Sequence, residues 1–205
     1  MAKYSSVTLG QTEAVLNIIG GELALTTILS DSALATKVSL AIKELIASTA
    51  IYLTPLYVGE TIMVPATKGS VTLADSSAVF PGWLDADLKN WQTNKAGKNT
   101  KSQAVRILEQ SKDGNFKQMF ESLGPLDQSN LTQAQIAAFC VTHRDKLRQE
   151  GWGTFFLFKV GAEYFVARVV VGGDGRLGLY AYRLDYSVVW HARGRVRVVV
   201  PQLNA

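Results

Sequence analysis

Arginines alternate with small and apolar residues near the end of the chain, in the segment HARGRVRVVV at residues 191–200. Because side chains alternate between the two faces of a strand, Arg195 and Arg197 are predicted to face opposite to Val196, Val198 and Val200. Guanidinium groups pair with phosphates, and aromatic side chains stack on bases. A basic sheet face that binds nucleic acid is therefore one interpretation, with these candidate residues: Arg168, Arg183, Arg193, Arg195 and Arg197.

The same arginines have a simpler interpretation. An antiparallel sheet often has one face in solvent, and charged side chains on an edge strand prevent pairing between sheets. The sequence also lacks the motif of the RNA-recognition sheet. Nucleic-acid binding is therefore the second hypothesis for this chain.

A cysteine and a histidine lie three residues apart in AAFCVTHRDKL. On a helix, Cys140 and His143 share one face, and such a pair can supply a nucleophile and its base. The same face carries Ile136, Phe139 and Leu147, which predicts a packed helix surface in which a cysteine is chemically inert. A hydrolase that uses Cys140 is therefore the third hypothesis.

The remaining chemistry-bearing residues have structural interpretations. Asp85 and Asp87 in WLDADLKNW form a carboxylate pair, but acidic residues are also typical of a first helical turn. Trp83 and Trp91 are predicted to share a helix face and to pack in the core. The glycines within residues 172–175 join two strands and open no helix, unlike a phosphate-binding loop. We predict no catalytic residue, no metal site and no cofactor.

The net charge of +4 is unevenly distributed along the 205 residues. Residues 1–150 hold 14 basic and 14 acidic side chains, whereas residues 151–205 hold 7 basic and 3 acidic ones. The whole excess of positive charge therefore lies in the last part of the chain, which is a weak indication of an anionic partner.

Composition places the chain among ordinary globular proteins, with 47% hydrophobic and 19% charged residues. One cysteine excludes an internal disulfide. The first residues lack the basic and then apolar pattern of a secretory signal. Charged residues interrupt the apolar stretch at 14–57, whereas a membrane helix needs about 20 nearly uncharged residues. We therefore expect a cytoplasmic protein without a membrane segment.

The N-terminal three quarters of the chain are predicted to be mainly helical. Helical spacing covers residues 11–30, with a break at Gly20 and Gly21, and a second helix starts at Asp31 or Ser32 and ends before Pro55. Next come a predicted hairpin at 57–66 and 69–75, a polar loop at 93–103, and four helices, at 84–92, at 102–112, at 115–124 and from Thr132 to Gly151. Thr132 and Gln135 form the pattern of a capping box at the start of the last helix.

The C-terminal part is predicted to be a sheet. Strands at 153–160, 163–171 and 176–184 are separated by tight turns, and one or two more strands fit at 186–190 and 195–200. The fold class is therefore α+β: an N-terminal helical pair, a small hairpin, further helices and an antiparallel meander of four to five strands. We expect a single domain over 1–205, with a helical part to about residue 150 and a sheet part from 151.

Residues 80–203 resemble a group of uncharacterised proteins from candidate-phyla-radiation bacteria. The resemblance rests on the segments WLDADLKNWQTNKAGK, FKQMFESLG, LTQAQIAAFCVTHRDKLRQEGWGTFFLFKVGAEYFVARV and VVVPQL. The group has no known activity, cofactor or partner, so the resemblance implies no functional residue.

The leading hypothesis is a non-catalytic module that acts through contact with other proteins. Its basis is an apolar helical pair and an aromatic sheet, without a polar constellation suited to catalysis. Apolar surface beyond the need of one core is typical of association, and a homodimer is the most common assembly.

Overall fold

The computed structural model describes residues 21–48 and 51–202. The chain divides into two compact units, residues 1–50 and 51–205. Each unit is described by itself, and a single domain over 1–205 stays a prediction. Residues 11–20 of the first predicted helix lie outside the described residues.

The first unit contains two helices, α1 (Gly21–Ser30) and α2 (Ser32–Ser48). Asp31 lies between them, and its Oδ1 accepts hydrogen bonds from the N–H groups of Ala33 and Leu34 at 2.9 and 3.1 Å. These bonds satisfy two of the N–H groups that lack a partner in the first turn of a helix, so Asp31 caps α2.

The second unit is built on a mixed eight-stranded sheet, which confirms the α+β class. Its strands are β1 (Leu53–Leu56), β2 (Ile62–Val64), β3 (Trp83–Leu84), β4 (Gln103–Gln110), β5 (Thr154–Val160), β6 (Glu163–Val171), β7 (Leu177–Arg183) and β8 (Arg197–Pro201). The order across the sheet is β1-β4-β8-β5-β6-β7-β3, and β2 also pairs with β4. The helices of this unit are α3 (Asp87–Asn90), α4 (Phe116–Glu121), α5 (Leu126–Ser129) and α6 (Gln133–Thr142).

The tight turns of the C-terminal part are where the sequence predicts them. Strands β5, β6 and β7 form the antiparallel meander. Strand β8 leaves this meander, crosses to the other side of β5, and runs parallel to β5 and antiparallel to β4. Residues 186–190 form no strand, and Trp190 makes only an isolated bridge with Gly114.

Four predictions for the middle of the chain are wrong. The predicted helix at 102–112 is strand β4, which lies between β1 and β8. The predicted hairpin does not form, because β1 and β2 both pair with β4 and residues 73–75 form a 3₁₀ turn. The predicted helix at 84–92 is divided between β3 and α3, and the last predicted helix ends at Thr142 rather than at Gly151. The sheet therefore begins well before residue 150.

Both faces of the sheet are covered. On one side, which we call the α6 face, Ile107, Phe156 and Val199 share a buried cluster with Ile136 and Phe139 of α6. On the other side, the α4 face, the ring of Phe116 in α4 lies 5.0 Å from that of Phe155. Central strands are consequently buried on both sides and lack an apolar–polar alternation.

Both helices that cover the sheet begin with a capping box. Asn115 and Gln118 exchange hydrogen bonds at the start of α4, and Thr132 and Gln135 do so at the start of α6. The second box confirms the prediction from the sequence. Within the described residues, no helix has the length and apolar character needed to cross a membrane.

Candidate binding groove at the sheet edge

The structure does not bring the five candidate arginines together on one face. Arg168 lies on the α4 face, where its guanidinium is 5.1 Å from the ring of Trp190 and donates to the carbonyls of Gly151 and Trp152. Arg197 lies on the α6 face and donates to the carbonyls of Lys146 and Leu147, at 2.5 and 3.2 Å. Arg183 also lies on the α6 face, but on β7, three strands away from Arg197 on β8 in the sheet order.

Arg195 is not part of the strand at all. It follows the 3₁₀ turn Ala192–Gly194 in a left-handed conformation, with φ of 48°, and its Nε lies 2.8 Å from Glu109 Oε1. Arg193 is exposed within that turn. The prediction that Arg195 and Arg197 share a strand face is therefore wrong, and Val196, Val198, Val199 and Val200 are all buried. Nucleic-acid binding by the five arginines stays a prediction.

The environment of Cys140 opposes its use as a nucleophile. Its side chain is 1% exposed, and this burial raises the pKa of the thiol far above its ordinary value. His143 caps the end of α6, where its Nε2 lies 2.8 Å from the Met63 carbonyl. A thiol that is protonated and closed off from solvent does not attack a substrate.

The second histidine has a structural partner. His191 Nδ1 lies 2.9 Å from Asp113 Oδ2, and Asp113 also accepts the N–H of Ala192 at 2.7 Å. The bond from Ala192, together with that from His191, holds the pKa of the Asp113 carboxyl below its usual value. Asp113 therefore fixes the turn that precedes β8. Among the described residues, no three His, Cys, Asp or Glu side chains could hold a metal ion.

Asp85 continues the edge of the sheet where β3 ends. Its N–H donates to the Leu179 carbonyl at 3.0 Å, and its Oδ2 accepts the N–H of Ala181 at 3.2 Å. Its Oδ1 accepts the N–H of Asp87 at 3.0 Å, at the start of α3. One carboxylate thus joins the edge strand β7 to the short helix beside it.

Beyond Asp85, β7 has no neighbouring strand on this side. Backbone groups of alternate residues point to the same side of a strand, so the N–H and carbonyl groups of Ala181 and Arg183 point away from β6. The Arg183 carbonyl accepts the N–H of Tyr186 at 3.1 Å. The Ala181 carbonyl and the Arg183 N–H have no hydrogen-bond partner in the part of the chain that the structure describes. An acceptor and a donor two residues apart are thus unpaired at this edge. Arg183 is exposed, whereas Ala181 is only 3% exposed.

These two free groups lie at a groove of about 500 Å³, which we call the edge groove. Its volume is in the range of ligand-binding pockets in proteins. Side chains from two distant segments form its walls: Asp85, Asp87 and Trp91 from the β3–α3 segment, and Ala181, Tyr182, Arg183, Asp185, Tyr186 and Ser187 from the end of β7 and the turn after it.

Aromatic stacking holds the walls of the edge groove in place. The ring of Trp91 stacks on Phe165 of the α6 face at 6.0 Å, and the ring of Tyr186 lies 5.1 Å from that of Tyr182. Trp83 stacks instead on Tyr180 of the α4 face and is 55% exposed. The prediction that Trp83 and Trp91 share a helix face is therefore wrong, because β3 separates them onto opposite faces of the sheet.

The edge groove is acidic although the protein as a whole is basic. It contains three carboxylates and one guanidinium, and that guanidinium, of Arg183, is paired with Glu163 at 3.2 Å. Asp185 forms no hydrogen bond or ion pair with the described residues. Asp87 accepts one side-chain hydrogen bond, from Asn90 Nδ2 at 3.1 Å. Two carboxylates of the groove therefore retain most of their acceptor capacity.

Comparison of the chain with protein-family models, with curated proteins and with solved structures finds no match. The resemblance of residues 80–203 stays a prediction, and the function is argued from the edge groove itself. Sequence reasoning considered Asp85 and Asp87 as a carboxylate pair but assigned them to the first turn of a helix, and it placed Trp91 in the core. It missed Asp185 and Tyr186, because only the parallel pairing of β3 with β7 brings the two segments together.

Proposed function

We propose that this chain is a non-catalytic protein-interaction module that binds an extended segment of a partner protein in the edge groove. The observation that carries the proposal is the free Ala181 carbonyl and Arg183 N–H at the open end of β7. An extended peptide can add to an exposed sheet edge through main-chain hydrogen bonds, while side-chain pockets give specificity. Here the edge offers one acceptor and one donor, so the aromatic and acidic walls must supply the rest of the affinity.

A partner of different sequence fits the edge groove better than a second copy of this chain. In a symmetric dimer the same patch meets itself. Two copies of the acidic groove would then place like charges opposite each other, which is unfavourable. A homodimer through another surface remains compatible with the proposal. A cytoplasmic location is part of it, since the single cysteine precludes the internal disulfides common in secreted proteins.

The decisive test separates the Arg183 N–H from the Arg183 side chain. Short random peptides displayed on phage are selected on the full chain, and their affinities are measured by fluorescence anisotropy. Arg183→Ala keeps the N–H and loses the guanidinium, whereas Arg183→Pro loses both. Proline is tolerated on an edge strand where its missing N–H would face outward. We expect Arg183→Ala to bind the selected peptides and Arg183→Pro to lose binding.

A second measurement does not depend on either variant. Amide hydrogen exchange of the wild-type chain is expected to show rapid exchange at the Arg183 N–H, and protection once a selected peptide is bound. If no peptide is recovered, or if Arg183→Pro binds as tightly as Arg183→Ala and the N–H stays unprotected, the proposed function is wrong.

A further inference from the structure

We infer that the segment bound in the edge groove carries a lysine or arginine side chain, which pairs with Asp87 and Asp185. This inference rests on the proposed function and specifies the chemistry of the partner. It is carried by the charge of the groove, by the contacts of its one guanidinium, and by the acceptor capacity that two of its carboxylates retain.

The edge groove favours a cationic ligand, although the protein as a whole is positively charged. The chain has a net charge of +4, so at long range it attracts anions. Within the groove, three carboxylates face a single guanidinium. Close to the open edge of β7, the local charge therefore favours a cationic group, and interactions at this range outweigh distant charges that salt screens.

The resident cation of the edge groove is already engaged. The guanidinium of Arg183 lies over the rings of Trp91 and Phe165, at 5.4 and 5.7 Å, and its Nη1 is 3.2 Å from Glu163. Glu163 is not among the residues that line the groove. Arg183 is thus held against the aromatic wall and makes no ion pair with Asp87 or Asp185.

A long, flexible cation fits the carboxylates better than a metal ion. Asp85 uses both of its oxygens for backbone N–H groups, so Asp87 and Asp185 are the available acceptors. They belong to no group of three side chains that could hold a metal among the described residues. A lysine or arginine on an added strand brings its charge on a flexible stem, and its backbone uses the free donor and acceptor of β7.

The test uses three acetylated and amidated heptapeptides of alternating threonine and valine whose central residue is lysine, norleucine or glutamate. Norleucine matches the lysine stem without the charge. Partly exposed ion pairs of this kind predict about threefold to tenfold tighter binding of the lysine peptide than of the norleucine peptide, and weaker binding of the glutamate peptide. Raising the salt concentration should reduce this preference.

Neutral variants identify the carboxylates responsible. The double variant Asp87→Asn/Asp185→Asn is expected to bind the lysine and norleucine peptides equally, while Glu121→Gln, which removes an exposed charge of α4 outside the groove, should keep the preference. If the wild-type chain binds both peptides with equal affinity, or the double variant keeps the preference, the inference is wrong and the proposed function stands. If none of the three peptides and no library peptide binds, both fail.

Discussion

The side chain of Gln133 offers a quantitative test of how the edge groove is held in place. Gln133 begins α6 and is 7% exposed. Its Oε1 accepts the N–H of Leu73 at 2.9 Å, and its Nε2 donates to the Thr93 carbonyl at 2.7 Å. Thr93 in turn donates from its hydroxyl to the Leu88 carbonyl of α3 at 2.7 Å. One amide therefore connects α6 to the helix that forms a wall of the groove.

The variant Gln133→Met keeps the length of the side chain and removes these two hydrogen bonds together with a longer one, of 3.4 Å, from Nε2 to the Lys95 carbonyl. The Leu73 N–H would lose its partner, which costs about 1–3 kcal/mol for a buried group. The Thr93 carbonyl would keep the N–H of Lys95, at 2.8 Å, and lose only the second of its two hydrogen bonds, at a cost of about 0.5–1.5 kcal/mol. Burial of the more apolar methionine offsets about 1 kcal/mol of this. We therefore expect the free energy of unfolding to fall by about 1–3 kcal/mol.

Urea denaturation followed by tryptophan fluorescence reports on the compact unit that contains Gln133, because all four tryptophans lie within residues 51–205. With a slope of about 2 kcal/mol per molar urea, the midpoint should fall by about 0.5–1.5 M. Gln128→Met is the matched control, since Gln128 is exposed and its side chain makes no hydrogen bond with the described residues; its effect should stay within about 0.5 kcal/mol. Equal midpoints for the two variants would refute the role of the buried amide.

Three further predictions concern residues that the sequence analysis identified as candidates, Cys140, Arg195 and Arg197. Cys140 should resist iodoacetamide in the folded protein and react once urea unfolds it, because the thiol is buried. Rapid labelling of the folded protein would instead support the hypothesis of a hydrolase that uses Cys140. Arg197→Ala should lower the free energy of unfolding by about 1–3 kcal/mol, because two carbonyls lose a charged donor. Arg195→Ala should cost less than about 1 kcal/mol, because its ion pair with Glu109 is largely exposed on the arginine side. Salt-sensitive binding of single-stranded RNA that both substitutions weaken would instead support the nucleic-acid hypothesis.

Features that depend on neighbouring residues could be predicted from the sequence. The capping box of Thr132 and Gln135 is formed by residues three positions apart, and both of its hydrogen bonds are present. The turn between β6 and β7 is equally local. Gly175 adopts φ of 78°, which favours glycine, and the side chain of Asp174 accepts the N–H of Arg176 at 2.9 Å.

Strand β4 could not be predicted because its environment comes from distant parts of the chain. It lies between β1 and β8 in a sheet that is covered on both faces, and its burial does not alternate. Val105 and Ile107 face α6, while Leu108 is buried on the opposite face. Without alternation, apolar residues in a short segment fit a helix as well as a strand. The arginine face of β8 was misjudged for the same reason, since Arg197 lies on the α6 face, which is covered rather than open to solvent.

If the proposed function is correct, the edge groove is a binding site that arises where a sheet is left incomplete. Strand β3 is only two residues long, so it pairs with Gly178 and Leu179 and leaves the last part of β7 without a neighbour. Asp85 satisfies one further N–H with its side chain, and the next acceptor and donor stay free. An open edge of this kind invites uncontrolled pairing unless charges or covering elements restrict access. Here Asp87, Asp185 and the aromatic walls restrict it, and the same side chains that exclude most strands would select one with a complementary cation.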